Sequence, residues 1–576
     1  MQVLNLNLIL ISMSFIEWFY IFLFSNLIIF FGSQKLFRLA GVPGWHAIIP
    51  FYNVVKHLDI IKRPRWWLIL CIIPVINLLI IPVIWVELVK RFNHNSRFDR
   101  LLVILTLGLY IFYISYISKK TKIVEEISFS GFERSLGSFI FAIVIATIVH
   151  NYFLQPFVIP TGSLEKTLRV GDFLLVSKFH YGARVPSTVI TLPMVHDTIP
   201  IIKTRSYLKN PQLPYIRIPG FQEIKNNDIV VFNWPADTVR RFFIKEKGVI
   251  KPRDKKSNYV KRAIGTPGDT FQIKDGIILI NGKKNKLPDR AKPIFKYEIK
   301  SGQGVSSSKL LELEIDGFMR KFVIKNLNQR SYEEISNYIL SISNTNDNEY
   351  LVYTDDSGIP LNIIRDNNII ISELIDNTKE ISLTFEDATI IENSKLFDTI
   401  FRVTQEEGVS NLNFFPNNKN FDWNNDHFGP IYIPKKGDII KIDTNNIPIY
   451  KKIIKDYEIN DVEILNGKII INGQEQESYT FKQDYYWMMG DNRYNSEDSR
   501  VWGFVPFDHV LGKPVFIWMS IDGLFNGIKN WNFRWDRIFT TIGFEGKPRS
   551  YFPHFIVFIG LWQIYVFIKR RRKTRV

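Results

Sequence analysis

The chain has 576 residues, with 73 Lys and Arg against 56 Asp and Glu, which gives a formal net charge of +17 at pH 7. This length allows several domains. A basic balance can indicate nucleic acid or an anionic membrane surface as partner. The basic residues are scattered and no nucleic-acid-binding motif occurs, so we predict no nucleic-acid partner. A single cysteine, Cys71, excludes an intramolecular disulfide, and the nine histidines lack metal-binding spacing, so we predict neither a metal nor a cofactor.

Five apolar segments have lengths near the roughly 17–25 residues that a helix needs to cross a bilayer. They comprise residues 15–31, 66–89, 101–117, 136–153 and 552–568. The alternative for any one of them is a buried core helix. The N-terminus lacks the basic start and the cleavage site of a removable signal peptide, so we expect the first segment to be retained. The sequence therefore predicts about four spans before residue 155 and one near the C-terminus.

Charged flanks predict which side of the membrane each part occupies, because cytoplasmic flanks carry an excess of Lys and Arg. The basic tail at residues 569–575 and the basic loop at 119–122 are therefore expected in the cytoplasm. This places residues 155–549 outside. The basic residues that follow the second segment, at 90–100, disagree with this arrangement. Residues 40–97 resemble a small uncharacterised membrane module, a resemblance that implies no chemistry.

The part between the fourth and fifth apolar segments has mainly β character. Short β-branched or aromatic runs occur at residues 173–176, 229–232, 271–273 and 277–280. Gly-Asp and Asn-Gly turn pairs separate these runs, which predicts an all-β, barrel-like or folded-sheet core. Between residues 283 and 428 the pattern loosens into polar sequence with short mixed elements, which predicts an inserted subdomain.

The first cluster with chemical potential, residues 159–164, lies directly after the fourth apolar segment. Ser163 follows Gly162, which lacks a Cβ and so allows a substrate backbone to approach closely. A serine at this position would lie close to the bilayer surface. The alternative is an ordinary turn serine.

The second cluster, residues 259–269, places Lys261 on an expected strand before a Gly-x-Pro-Gly-Asp turn. A lysine is a poor base at its free pKa of about 10.4. Burial disfavours the ammonium form and lowers the pKa, so that the neutral amine can take a proton from a serine. Ser–Lys pairs are a known variant of the serine triad. The alternatives are a surface lysine here and Lys451 as base, which lies in similar sequence without the turn.

The third cluster, residues 489–506, is dense with short polar and charged side chains between Gly490 and Gly503. It predicts either a solvated loop or a rigid loop that supports an active site. In the second case Asp498 and Arg500 are expected to form an ion pair.

Together these clusters resemble bacterial type I signal peptidases, the Ser–Lys membrane proteases that remove signal peptides from exported proteins. The resemblance covers about residues 153–269 and 431–520, with all motifs in the family's order. It implies a multi-pass protein of the bacterial inner membrane whose mainly-β catalytic domain is extracytoplasmic. That domain would have a coiled antiparallel β-sheet core and an inserted α/β cap. The implied partners are signal-peptide-bearing preproteins, the lipid bilayer and the secretion machinery.

The resemblance also predicts a division into five parts. These are a membrane region at 1–155, a first core part at 156–282, the cap at 283–430, a second core part at 431–520, and a linker with a C-terminal transmembrane helix and basic cytoplasmic tail at 521–576.

The resemblance implies a role for each matching residue. Ser163 attacks the scissile carbonyl and Lys261 accepts its proton. The oxyanion hole consists of the Ser163 backbone N–H and the Thr161 hydroxyl. Ser496 hydrogen-bonds the Lys261 amine. The residues that brace the site are Gly490, Asp491, Asp498, Arg500 and Arg262, and those that bind substrate with small side chains are Ile159, Pro160 and Val260.

One departure from the family pattern opens an alternative function. The family usually reads Ser-Met-x-Pro-Thr-Leu after the nucleophile, whereas residues 163–168 read Ser-Leu-Glu-Lys-Thr-Leu. Lys166 therefore creates the Ser-x-x-Lys of penicillin-binding proteins, but their Ser-Asp-Asn and Lys-Thr-Gly elements do not occur. A further alternative is an inactive membrane scaffold, against which the complete motif set argues.

Overall fold

The computed structural model describes residues 13–237, 249–325, 327–346, 348–543, 546 and 548–573. Its first part is helical. The helices are α1 (Phe15–Leu39), α2 (Tyr52–Ile60), α3 (Trp67–Ile72), α4 (Asn77–Arg91), α5 (Arg97–Leu105), α6 (Tyr110–Tyr116) and α7 (Gly131–Ile148), which a π-helical turn (Val149–Phe153) extends. Capping boxes begin α1, α5 and α7, where Ser14, Ser96 and Ser130 each accept a hydrogen bond from the third helical residue.

Three helices of the described chain are long and apolar enough to cross a membrane: Phe15–Leu39, Gly131–Phe153 and Phe552–Lys569. The second and third apolar segments do not form the single continuous helices expected of them. Pro74 and Val75, the latter at φ 71°, separate α3 from α4, and Leu107 and Gly108 separate α5 from α6 with φ of 51° and 88°. The number of times that residues 1–155 cross the bilayer stays a prediction.

The β core begins directly after the helical region. Its first strands along the chain are β1 (Leu154–Val158), β2 (Asp172–Ser177), β3 (Ile229–Asn233), β4 (Asn258–Gly265), β5 (Thr270–Lys274), β6 (Ile277–Ile280) and β7 (Lys283–Lys284). These confirm all four predicted strand runs. β1 to β4 belong to a nine-stranded antiparallel sheet. β5, β6 and β7 belong to a second, four-stranded sheet, to which a later strand returns.

The polar middle of the chain forms two small sheets with their own apolar cores. Its elements are β8 (Ile294–Lys300), α8 (Ser307–Glu312), β9 (Arg320–Lys325), α9 (Gln329–Ile335), β10 (Ser341–Asn346), β11 (Glu349–Thr354), α10 (Leu361–Asp366), β12 (Ile370–Glu373), β13 (Thr378–Thr384), α11 (Phe385–Ser394) and β14 (Thr399–Arg402). The strand orders are β13-β8-β14 and β10-β11-β9-β12. This segment has the mixed α/β content expected of the cap.

The last part of the chain returns to the core. Its elements are β15 (Phe428–Tyr432), β16 (Ile439–Lys441), α12 (Ile447–Lys452), β17 (Val462–Leu465), β18 (Lys468–Ile471), β19 (Gln474–Glu475), β20 (Ser478–Thr480), β21 (Tyr485–Met489), α13 (Ser499–Trp502), β22 (Val505–Pro506), β23 (Val510–Asp522), β24 (Asn532–Phe533), β25 (Thr540–Thr541) and α14 (Phe552–Lys573). Lys451 lies on α12 rather than on a strand, so it is not the structural counterpart of Lys261.

The main sheet runs in the order β1-β2-β23-β3-β4-β21-β22, with β24 and β25 also paired to β23. The long strand β23 pairs with β2 along one edge and β3 along the other, and its register shifts at two points in the first ladder and at one in the second. Such bulges bend a strand and increase its twist, so the sheet curls. The coiled antiparallel core predicted from the sequence is therefore confirmed.

Candidate active site

The candidate nucleophile lies in a short 3₁₀ turn (Gly162–Leu164) just after β1. The turn is closed by the Glu165 N–H, which donates to the Gly162 carbonyl at 3.0 Å. Ile159, Leu164 and Leu168 are almost completely buried and belong to one apolar cluster with the sheet. This burial on both sides of Ser163 fixes the turn against the core, and Ser163 itself is 8% exposed.

The candidate base lies in the middle of the curled sheet. Lys261 on β4 pairs with Val230 of β3, and the next residue, Arg262, pairs with Met489 of β21. The Lys261 side chain is buried, with its Nζ 5.6 Å from the centroid of the Tyr259 ring. Burial lowers the pKa of the Lys261 ammonium to about 8, although the Asp498 carboxylate opposes this shift. The amine is therefore much easier to deprotonate than a free lysine.

The third cluster contacts both of these elements. The Asn492 N–H donates to the Ser163 carbonyl at 3.1 Å. A Cβ added to Gly490 would lie 2.6 Å from the same Ser163 carbonyl oxygen and 2.2 Å from Ser496 Oγ. Because β21 immediately precedes this loop and pairs with β4, the loop lies between the serine turn and the lysine strand. The three clusters that the sequence separates thus meet at one place.

A buried ion pair holds the loop. Arg500 donates to both carboxylate oxygens of Asp498, at 2.9 and 2.8 Å, and Asp498 also accepts the Gly490 N–H at 3.0 Å. Both side chains are at most 1% exposed. Burial raises the pKa of Asp498, but the Arg500 guanidinium outweighs it and keeps that pKa below its usual range. Asp498 therefore stays ionised next to Lys261.

A second buried ion pair joins the loop to the lysine strand. Arg262 donates to the two oxygens of Asp491 at 2.8 and 2.6 Å, and it also donates to the Asn227 carbonyl. The Thr167 hydroxyl donates to Asp491 at 2.7 Å, which ties in the chain that follows the serine turn. Sequence reasoning missed Thr167 and Asn492, although both lie inside the recognised motifs, because such motifs do not reveal which neighbour bonds to which.

The hydrogen bond expected between Ser496 and the Lys261 amine is not formed in this structure. Within the described part of the chain, the buried Ser496 Oγ has no hydrogen-bond partner. The hydroxyl instead faces the α-carbon of Gly490. Sequence alone could not foresee this, because the bond depends on one side-chain rotamer.

The predicted substrate-binding residues lie around the serine turn. Ile159 is 3% exposed and packs in the same apolar cluster as the half-buried Val260. Pro160 and Thr161 are exposed, and the Thr161 backbone is extended. Ile159, Pro160 and Thr161 thus lead from β1 into the serine turn, and Val260 joins their side of the core through the shared apolar cluster.

The alternative base Lys166 points to the polar middle segment. Its Nζ forms an ion pair with Asp316 and lies 3.8 Å from a carboxylate oxygen of Asp387. The serine turn is a single 3₁₀ turn, and Lys166 has φ 68°, so Ser163 and Lys166 do not share the α-helical turn that the penicillin-binding arrangement requires. The penicillin-binding alternative is therefore not favoured.

The pH dependence of cleavage follows from the pKa of Lys261. Only the neutral amine can accept a proton, so kcat/KM should rise with pH and level off above about 8. A lysine at its ordinary pKa would give a rise that continues to about 10.4. The measurement is kcat/KM for a fluorogenic signal-sequence peptide across this range. A profile that rises only near pH 10 would contradict a desolvated Lys261.

Comparison with known proteins finds two matching family models and several similar proteins. A family model described as "Signal peptidase, peptidase S26" matches residues 133–331 and 436–519, and a model of a family of unknown function (DUF5684) matches residues 45–122. The signal peptidase I of Buchnera aphidicola subsp. Schizaphis graminum is 26% identical over 393 residues, which cover 68% of this chain and 76% of that protein. That of Buchnera aphidicola subsp. Acyrthosiphon pisum is 27% identical over 70% of this chain and 79% of its own length.

The signal peptidase I of Rickettsia massiliae is 32% identical over 152 residues, 26% of this chain and 44% of that protein. The chain thus spans less than half the length of this relative and about three quarters of the Buchnera ones. The S26 model matches the chain up to residue 331, within the polar middle segment, and again from residue 436, and it includes Ser163, Lys261 and the 490–500 loop. The chain therefore belongs to the signal peptidase family, peptidase S26, and is a serine endopeptidase.

Proposed function

We propose that this protein removes N-terminal signal peptides from exported preproteins, with Ser163 as nucleophile and Lys261 as general base. One observation carries the assignment of the two residues. The loop at 490–500 contacts the serine turn through the Asn492 N–H, while the strand before it pairs with the strand that holds Lys261. The nucleophile and the base therefore share one rigid support.

In the proposed mechanism the neutral Lys261 amine takes the Ser163 hydroxyl proton as Oγ attacks the scissile carbonyl carbon. The Ser163 N–H and the Thr161 hydroxyl stabilise the negative charge that develops on the carbonyl oxygen. The Lys261 ammonium then donates its proton to the leaving amine, and the peptide bond breaks. Lys261 next deprotonates the water that hydrolyses the acyl-enzyme ester.

The supporting residues act through position and charge. Asp498 is ionised and lies near Lys261, so it stabilises the ammonium that forms during acylation. Arg500 neutralises part of that charge and keeps the Lys261 pKa from rising. The Arg262–Asp491 pair holds β4 against Thr167. Ser496 would have to rotate about its Cα–Cβ bond to donate to the Lys261 amine, because its hydroxyl now faces Gly490.

The proposed location is the bacterial inner membrane, with the β core on the extracytoplasmic side. The candidate span Gly131–Phe153 ends one residue before β1, so Ser163 follows the membrane directly. The basic residues after the last span favour a cytoplasmic C-terminus. Ile159 and Val260, which belong to one apolar cluster, would line shallow pockets that suit the small side chains of a signal-peptide cleavage site. At this position the enzyme would receive preproteins from the secretion machinery.

The test is cleavage of a preprotein by the full chain in lipid vesicles, comparing wild type, Lys261→Ala and Lys166→Ala. We expect Lys261→Ala to abolish cleavage and Lys166→Ala to retain most of it, because Lys166 pairs with Asp316 on the polar middle segment. The new N-terminus, read by mass spectrometry, should follow two small residues spaced by one.

The opposite pattern would refute the Ser163–Lys261 assignment. If Lys166→Ala is inactive while Lys261→Ala is active, and if wild type is labelled by a fluorescent penicillin, the penicillin-binding alternative replaces it.

A further inference from the structure

A second site candidate lies where the end of the α7 span meets the β core. A cavity of about 120 Å³ opens there, bounded by the π-helical turn, the end of β2 and the beginning of β4. It is lined by His150 and Asn151 from the turn, and by Asn233 and Asn258 from the sheet. Ser163 and Lys261 do not line it, so it is separate from the proposed catalytic pair.

The cavity holds more positive than negative charge. Lys178, Arg184 and Lys255 line it, each no more than 8% exposed, and the carboxylate among the lining residues is Asp254. Burying ionised groups without counter-charges is energetically costly, because water no longer solvates the charge. This excess of buried cations therefore needs a physical explanation.

The hydrogen bonds of the cavity leave part of this charge unmatched. Asp254 accepts from Ser187 and Thr188. Arg184 and Lys255 donate to neutral oxygens: Arg184 to the Asp508 carbonyl at 2.8 Å, and Lys255 to a threonine hydroxyl and a valine carbonyl. These bonds satisfy donors but do not neutralise the two cations.

Lys178 is the most exceptional of the lining residues. Lys178 is only 6% exposed. Across the described residues, its Nζ has no hydrogen-bond or ion-pair partner. Burial, reinforced by the positive charge of Arg184, lowers the pKa of Lys178 to about 7. An anion inside the cavity would offset both the cost of burying the Lys178 ammonium and its repulsion by Arg184.

The surroundings indicate the depth of the cavity relative to the bilayer. His150 and Asn151 lie in the last turn of the candidate span Gly131–Phe153, which is the level of lipid headgroups. Met194, another lining residue, is 52% exposed. It lies on a ribbon, residues 184–217, whose two halves are joined by isolated antiparallel bridges, and Ile201 and Ile202 on this ribbon are 93% and 67% exposed. Exposed apolar residues next to a span suit the membrane interface. The anion expected at this depth is a phosphate.

We propose that this cavity binds a phosphate group, from the headgroup of an anionic phospholipid or from free phosphate, with Lys178 as its central donor. Arg184 and Lys255 donate from either side, and the side-chain amides of Asn151 and Asn258 complete the site, whereas the Asn233 amide already donates to Lys256 and Asn258. This inference does not depend on the Ser163–Lys261 assignment, because neither residue lines the cavity.

The test is thermal unfolding of the full chain in a non-ionic detergent with each of three additives. These are inorganic phosphate, dioctanoyl phosphatidylglycerol, and dioctanoylglycerol, which has no phosphate. We expect phosphatidylglycerol to raise the unfolding temperature saturably, because a ligand that binds only the folded state stabilises it. Lys178→Met should raise the apparent dissociation constant by about tenfold. Lys451→Met, at an exposed lysine on α12, is the matched control and should leave it unchanged.

Each outcome decides the proposal. Stabilisation by phosphatidylglycerol alone assigns a lipid headgroup, and stabilisation by inorganic phosphate alone assigns free phosphate. Stabilisation by both compounds shows that the cavity binds a phosphate group from a lipid headgroup as well as from free phosphate. Equal stabilisation by dioctanoylglycerol, or none by the two phosphate compounds, overturns the proposal. If Lys178→Met does not fold, Lys255→Gln is measured in its place. A folded variant with an unchanged apparent dissociation constant for the phosphate compound also overturns the proposal.

Discussion

We expect Ser163→Ala to lower kcat/KM for preprotein cleavage by about 10⁴- to 10⁶-fold, since removing the nucleophile of a serine protease leaves only binding and oxyanion stabilisation. The variant should fold normally. Ser163 contributes its backbone carbonyl to the bond with Asn492, and alanine keeps that carbonyl. The measurement is single-turnover cleavage of a radiolabelled preprotein by the full chain in vesicles, with the unfolding temperature as the check on folding.

The matched control is Ser343→Ala, at an exposed serine on β10. It makes the same chemical change in the polar middle segment, and its activity should equal that of wild type. Thr161→Val gives an intermediate case, because loss of one oxyanion donor costs about 10²–10³-fold. If Ser163→Ala keeps more than a small fraction of wild-type activity, another nucleophile carries the reaction and the proposed mechanism fails.

The sheet core could be predicted from sequence because its signals are local. Each predicted run is β-branched or aromatic and is bounded by a turn pair, as at Gly171-Asp172 before β2. A strand pattern of this kind needs no information from distant parts of the chain. The ordered motifs likewise predicted that distant segments would meet. Asn492 and Gly162, 330 positions apart, do lie within hydrogen-bond distance.

Other features could not be predicted because they depend on backbone conformation or on a rotamer. Hydropathy alone cannot register that Val75 and Leu107 adopt positive φ, which interrupts two apolar segments that are otherwise long enough to span. The sequence similarity that made Lys451 an alternative to Lys261 gives no sign that Lys451 lies on a helix. Nor does the motif around Ser496 show which way its hydroxyl points.

The second large effect is expected for Gly490→Ala, which should lower kcat/KM by at least about 10²-fold. Gly490 is not among the residues with positive φ, so its backbone accepts alanine without strain. The new methyl group, however, would lie 2.6 Å from the Ser163 carbonyl oxygen and 2.2 Å from Ser496 Oγ. The hydroxyl can rotate away, but Ser496 Cβ, also 2.6 Å from the new methyl group, and the Ser163 carbonyl, which belongs to the backbone of the nucleophile, cannot. The serine turn and the loop that holds Ser496 must therefore move apart, and a displacement of the turn by about 1 Å is enough for this loss.

The unfolding temperature and kcat together separate a displaced serine turn from a general loss of stability. Overpacking typically costs about 1–3 kcal/mol of stability, which a fall in unfolding temperature would report. Gly302→Ala is the matched control, because the nearest atom to its new Cβ would be 3.6 Å away, an ordinary contact. The informative result is a Gly490→Ala protein that is folded at the assay temperature, binds preprotein with little change in KM and has a much lower kcat. Near-normal kcat would mean that the serine turn does not rest on Gly490 during catalysis, and the shared support of Ser163 and Lys261 would have to be abandoned.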